Sequence, residues 1–151
     1  MAVALNLYDI FRRKNASGNG TVNLTSLTVK CMLVTATYTP NQNTHVFRDD
    51  LGANEVTGTN YTAGGNALAN PVVTLDGAGL VTMDFDDPAA WAQHATGFAN
   101  ARRAVFYIAR GGASNVDELI GYTADFGADQ GNVGADFSIQ LSASGLFTSP
   151  R

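Results

Sequence analysis

Few residues in this chain have the type and spacing that chemistry demands. Neither histidine, His45 or His94, stands at a ligand spacing from a cysteine, a carboxylate or the other histidine. Each reads as a surface or loop histidine. Cys31, the one cysteine, falls on the apolar face of a strand pattern, where a thiol is buried and inert rather than nucleophilic. A lone cysteine makes no intramolecular disulfide, so the chain reads as a protein made in a reducing cytoplasm and not as a disulfide scaffold. Asp84, Asp86 and Asp87 form the densest acidic cluster. A calcium loop needs oxygen ligands at alternate positions, a central glycine and a closing glutamate. Here Pro88 follows at once and no glutamate closes the loop. Asp84 therefore reads as the end of a strand and Asp87 as the cap of a turn, with a cation site as the alternative. Asp125, Asp129 and Asp136 lie among Gly127, Gly131 and Gly134 at irregular spacing, which reads as a solvated loop. Gly18-Asn19-Gly20 and Gly111-Gly112 lack the lysine of a phosphate loop, and no serine sits in a nucleophile elbow. No catalytic, cofactor or metal site is expected.

Residues suited to binding another protein are easier to find. Arg102 and Arg103 directly precede the strongest strand pattern. They are either edge charges that block wrong strand pairing or bidentate donors for an acidic protein surface. Trp91, the only tryptophan, is a core plug beside a turn or an interface anchor. Leu7, Tyr8 and Phe11 share a helical face with Ala4, and Arg12, Arg13 and Lys14 close the same segment, where cations suit the helix dipole.

The elements that position these residues are mostly strands. The spacing predicts one amphipathic helix over residues 4–14, broken by Asn15-Ala16-Ser17-Gly18-Asn19-Gly20. A strand with one well-buried face follows over 27–34 and ends in a turn at Tyr38-Thr39-Pro40-Asn41. Residues 43–54 read as irregular, 55–57 as a short strand, and Gly64-Gly65 as a turn or bulge. Residues 72–85 read as a hairpin around Asp76-Gly77-Ala78-Gly79. Asp86-Asp87-Pro88 predicts a short helical turn through Trp91. Residues 104–110 and 118–126 read as a second hairpin, and 136–142 as a last strand. The expected fold is mainly β, an antiparallel β-sandwich or jelly-roll-like single domain over 1–151, with a helix at 1–14 and a core over 21–147.

Composition narrows the function classes. Hydrophobic residues are 45% and charged residues 15% of the 151, with 16 glycines and a formal net charge of -4. The chain is too apolar to be disordered and has no basic excess to neutralise phosphates. It has no apolar run long enough to span a membrane, and its basic residues follow rather than precede the first apolar segment, the reverse of a secretory signal. Sequons at Asn15, Asn19, Asn23 and Asn60 carry no meaning without such a signal. A weakly charged surface rich in Gly, Asn and Thr suits contact with other protein.

The order of these segments resembles a known group. Leu7-Tyr8-Asp9 through Phe11, then Thr28-Val29-Lys30-Cys31-Met32-Leu33-Val34, Tyr38-Thr39-Pro40-Asn41 and Thr44-His45-Val46-Phe47 lead into Glu55-Val56-Thr57-Gly58-Thr59-Asn60-Tyr61-Thr62-Ala63-Gly64-Gly65. Ala101 and Ala104-Val105-Phe106-Tyr107 and a strand from Ile120 to Phe126 complete the pattern. It is similar to small virion proteins of tailed bacteriophages found among head and decoration proteins, over nearly the whole chain, with Glu55 to Gly65 its most specific part. The resemblance implies a structural protein without catalytic residues or cofactor. Such a protein binds the major capsid protein lattice and other copies of itself, with a trimer favoured. It does so on the capsid surface after assembly in the host cytoplasm. It binds neither nucleic acid nor membrane. The expected contact residues are Leu7, Tyr8, Phe11, Arg12, Arg13, Tyr38, Tyr61, Trp91, Arg102 and Arg103, together with the irregular segments 39–54 and 58–70. Deleting residues 1–14 is expected to weaken capsid binding and leave a folded domain. A tail or neck component is the structural alternative. A receptor- or glycan-binding β-module using Tyr38, Tyr61 and Trp91 as a stacking platform is the alternative from another class.

Overall fold

The computed structural model describes residues 2–17 and 23–149. Gly18-Asn19-Gly20 of the expected chain break, and residues 21 and 22 at the start of the expected core, lie outside them. In chain order the elements are β1 (Ala2–Val3), β2 (Leu5–Leu7), α1 (Asp9–Ala16), β3 (Thr28–Val34), a 3₁₀ turn at Arg48–Leu51, β4 (Asn66–Ala67), β5 (Val72–Leu75) and β6 (Val81–Asp84). Then come β7 (Arg103–Ala109), a second 3₁₀ turn at Ser114–Val116, β8 (Leu119–Thr123), β9 (Gln140–Leu141) and β10 (Phe147–Ser149). The protein is mainly β, with antiparallel sheets and one helix.

The centre is a five-stranded antiparallel sheet in the order β2-β8-β7-β3-β4. β3 and β7 pair along their whole length, from Thr28 opposite Ala109 to Val34 opposite Arg103. Their side chains alternate between two separate cores. Val29, Cys31, Leu33, Ala104, Phe106, Ile108 and Ile120 face the larger one. Met32, Val34, Val105, Tyr107 and Leu119 face the smaller one, which Tyr8, Tyr38 and Leu51 complete. β3 was expected to bury one face; it buries both because the irregular chain from residue 35 to 54 folds over the second. A three-stranded sheet, β10-β6-β5, adds Met83 to the larger core, and β1 pairs with β9 in parallel.

The expected helix over 4–14 is corrected by the structure. Leu5 and Leu7 are partly buried around exposed Asn6, a period of two, and β2 pairs antiparallel with β8. Leu7 and Phe11 also fit a helical period, but the free edge of β8 supplies backbone partners to residues 5–7 that a helix there would leave unused. The helix starts at Asp9, whose carboxylate in the first turn suits the dipole, and runs to Ala16. The helical turn expected before Trp91 is absent as well. Trp91 is extended, exchanging backbone hydrogen bonds with Phe137 at 2.8 and 3.0 Å, and Asp87 accepts the Leu141 N–H instead of capping a turn. Both hairpins lie where the turn residues place them. The last strand shrinks to β9, and the short β10 had no sequence signal.

Candidate functional site

Burial divides the expected contact residues. Tyr8, Phe11, Tyr38 and Trp91 are at most 3% exposed, so each packs against its own chain and is not offered to a partner. Tyr8 and Tyr38 share a hydroxyl–hydroxyl bond of 2.6 Å, and the Tyr38 hydroxyl meets His45 Nδ1 at 2.9 Å. Burial pushes the Tyr38 phenol up to about 12, and Tyr8 rises further with Tyr38 beside it. Trp91 sits in an aromatic cluster, stacked on Tyr61 and edge-on to Phe98. Its indole N–H has no partner among the described residues. With Tyr38 and Trp91 buried and Tyr61 half-buried, the three do not form an exposed platform for a sugar.

Tyr61 belongs to a latch built by the segment Glu55 to Gly65. Oε1 of Glu55 accepts the Tyr61 O–H at 2.8 Å and the buried Gly64 N–H. The Tyr61 oxygen in turn accepts the Leu33 N–H of β3 at 3.0 Å, and the Tyr107 hydroxyl donates to Gly64 O at 2.8 Å. Gly65 has φ +71°, and a Cβ there would lie 1.9 Å from Cys31 O. Only glycine lets β4 approach β3 so closely. The same logic operates at Asn132, which is fully buried. Its side chain accepts the Phe98 N–H at 2.9 Å and donates to Ala92 O at 2.8 Å and Thr59 O at 3.2 Å.

The charged candidates are neutralised within the chain. Arg102 holds Asp125 at 2.6 Å and reaches Asp129 at 3.6 Å, and Arg103 adds a 3.4 Å contact to Asp125. The Arg102 hydrogen bonds and the Gly127 N–H hold the Asp125 carboxyl below its usual range. This pairing joins the end of β8 to the start of β7 and leaves no unopposed cationic patch there. Of the other acids, Asp84 accepts the Phe85 N–H, Asp86 the Asn70 amide and Asp136 the Gln93 N–H. Among the described residues no cluster of His, Cys, Asp or Glu is arranged to hold a metal ion, and no helix is long and apolar enough to cross a membrane. A partly buried ion network that the sequence did not reveal ties α1 to the chain just before β8. Lys14 meets Glu118 at 2.8 Å, Arg110 meets the other Glu118 oxygen at 2.6 Å, and Arg48 meets Asp117 at 2.9 Å.

Besides the single exposed residues Val116 and Val133, the exposed large apolar side chains among the described residues gather on the β5–β6 hairpin, next to a groove beside α1. Leu7, Phe11, Arg12 and Arg13 are brought together along a groove of about 620 Å³ between α1 and β10, with Phe147 at its floor. A second depression of about 260 Å³ continues past Phe147 to Val73, Val81 and Met83. It leads to β5, the edge of its sheet, where Val72, Val73 and Leu75 are 51%, 53% and 70% exposed. Val81 across the hairpin is 38% exposed. The sequence did carry a signal for this edge: Val72, Val73 and Leu75 are apolar at both parities, so one of the two strand faces had to turn an apolar side chain away from the core. Comparison with protein-family models, curated proteins and solved structures found no match to the chain.

Proposed function

We propose that this protein is a structural component of a tailed-bacteriophage virion, a decoration or cement protein that binds the capsid lattice and stabilises the head. The observation that carries this reading is the apolar edge hairpin, where Val72, Val73, Leu75 and Val81 are exposed together on neighbouring strands. Contiguous exposed apolar surface marks a site for other protein. The groove beside it, lined by Leu7, Arg12 and Arg13, extends this surface. Met83 of the three-stranded sheet shares the larger core with the five-stranded sheet, which supports reading the fold as an open sandwich. Many weak copies on a repeating lattice then bind with high avidity and favour the assembled shell by mass action. A net charge of -4 suits the outer face of a shell whose interior holds DNA. A neck or tail position would use the same surface in rings.

The test is reconstitution. Heads assembled without this protein should bind the purified chain on their outer face and become more resistant to heat. Binding should weaken when Leu75→Lys or Val73→Lys places a charge on the hairpin. Heads that take up no protein, or take it up only on the DNA-facing side, would overturn the reading.

A further inference from the structure

We propose that two copies of this chain pair edge to edge through β5, antiparallel about a two-fold axis at Thr74. This goes beyond the proposed function, which names no contact between copies, and rests on the free edge of β5 alone.

The hydrogen-bond pattern of the hairpin sets which groups are free. The Asp76 N–H donates to Leu80 O at 3.0 Å across the turn, and the Leu146 N–H donates to Met83 O at 2.8 Å on the far side of β6. Bonded and unbonded pairs alternate along an antiparallel ladder. Residues 72, 74 and 76 therefore turn their amide and carbonyl toward β6, and Val73 and Leu75 turn theirs outward at an edge that no strand among the described residues covers. A two-fold axis at Thr74 sets Val73 opposite Leu75 of the second copy, and Leu75 opposite its Val73. Both become hydrogen-bonded pairs, so every outward donor of β5 meets an outward acceptor. Centring the axis on Val73 instead would oppose Leu75 to Pro71, which has no N–H.

Side chains and charge agree with the register. Val73 and Leu75 lie on the face of Met83 and Val81, so pairing continues one apolar row from Met83 through Val73 to Leu75 and Val81 of the second copy. β5 contains no charged residue. Asp76, just beyond it, has its carboxylate folded into its own turn, accepting the Ala78 and Leu80 N–H groups. The two Asp76 residues would stand at opposite ends of the pair, about 14 Å apart at the usual rise per residue and beyond the screening length at physiological salt. Edge strands that stay unpaired normally carry a lysine, a proline or a bulge as protection, and β5 has none of these between Val72 and Leu75.

Disulfide trapping of the full chain tests the register. Thr74 is exposed and would face Thr74 of the second copy as an unbonded pair, with Cβ atoms about 4.5–5.5 Å apart, close to disulfide geometry. Thr74→Cys should cross-link into dimers under mild oxidation. Val72→Cys should not, because its partner position is Asp76. Cys31 is buried and takes no part. In sedimentation, the unmodified chain should show a concentration-dependent dimer. Leu75→Lys should raise its dissociation constant about tenfold or more with unchanged circular dichroism. A chain monomeric at every concentration, equal cross-linking at positions 72 and 74, or a dimer indifferent to Leu75→Lys would each overturn the proposal. Because these readouts use the isolated chain, failure here leaves capsid binding to be judged by its own assay.

Discussion

The Glu55 latch offers a perturbation whose size can be worked from its bonds. One oxygen, Oε1, accepts both the Tyr61 O–H and the Gly64 N–H. Glu55→Ala removes the acceptor for both donors, and the buried Gly64 amide is left with no replacement. Hydrogen bonds to a charged group contribute roughly 1.5–3 kcal/mol each, so the loss should be about 3–5 kcal/mol. Glu55→Gln keeps a carbonyl oxygen where Oε1 sits and gives up only the charge, so it should cost about 1 kcal/mol. Tyr61→Phe orphans the Leu33 N–H of β3 as well as one Glu55 contact and should cost about 2–3 kcal/mol. Urea unfolding at fixed temperature measures all three, and an unchanged slope would show that the native and unfolded ensembles are otherwise intact. In melting experiments Glu55→Ala should lower Tm by about 6–20 °C at this chain length. The reasoning fails if Glu55→Ala falls within about 0.5 kcal/mol of the parent, or if Glu55→Gln is as damaging as Glu55→Ala.

Four further outcomes follow from the same structure. Asn132→Ala should destabilise by about 2–4 kcal/mol by stranding the Phe98 N–H and two carbonyls. Gly97→Ala, whose Cβ would lie 1.9 Å from Asn132 Oδ1, should be less harmful in the Asn132→Ala background than alone, measurable as a non-additive double-mutant cycle. Raising pH should unfold the protein cooperatively with phenolate formation. The phenols of Tyr38 and Tyr107 are raised by burial from 10.0 to about 12, so the stability they contribute is full below pH 10 and is lost as pH climbs to about 12; phenolate absorbance rising well before loss of β circular dichroism would refute this. Deleting residues 1–14 should abolish folding, correcting the expectation of a folded remainder, because it removes β1, β2 and the buried Tyr8 and Phe11. Loss of each aromatic costs about 3–5 kcal/mol against a total stability of about 5–15 kcal/mol, and a cooperative melt of the truncated chain would contradict it.

Local chemistry was legible wherever one short segment decides the structure. Asp76-Gly77-Ala78-Gly79 marks its hairpin because the Asp76 carboxylate and Gly79 at φ +87° make the turn without help from elsewhere. β3, β7 and β8 follow from runs of β-branched and aromatic residues. The N-terminus misleads because Leu7, Tyr8 and Phe11 satisfy a helical period while Leu5 and Leu7 also satisfy a strand period, and the choice depends on β8, more than a hundred residues away in sequence. A partner distant in sequence also hides why Trp91 is extended, since its backbone pairs with Phe137. The aromatic residues expected as contacts are core, Phe11 and Trp91 in the larger cluster and Tyr8 and Tyr38 in the smaller one. A sheet buried on both faces needs a second set of large side chains, and Tyr8 and Tyr38 supply it from outside the strands. The ion network around Glu118 was invisible because Lys14, Arg48 and Arg110 come from three separate segments. The exposed row on β5 was written in the sequence but needed the edge position to give it meaning.

The proposal that this chain assembles through the β5–β6 hairpin and the groove beside α1 meets its sharpest test in an image of the virion at residue resolution. The chain should lie on the outer face of the head, repeated with the lattice, with Val73, Leu75 and Val81 buried against neighbouring protein. The chain on the DNA-facing side, or a hairpin left open to solvent in every copy, would contradict it.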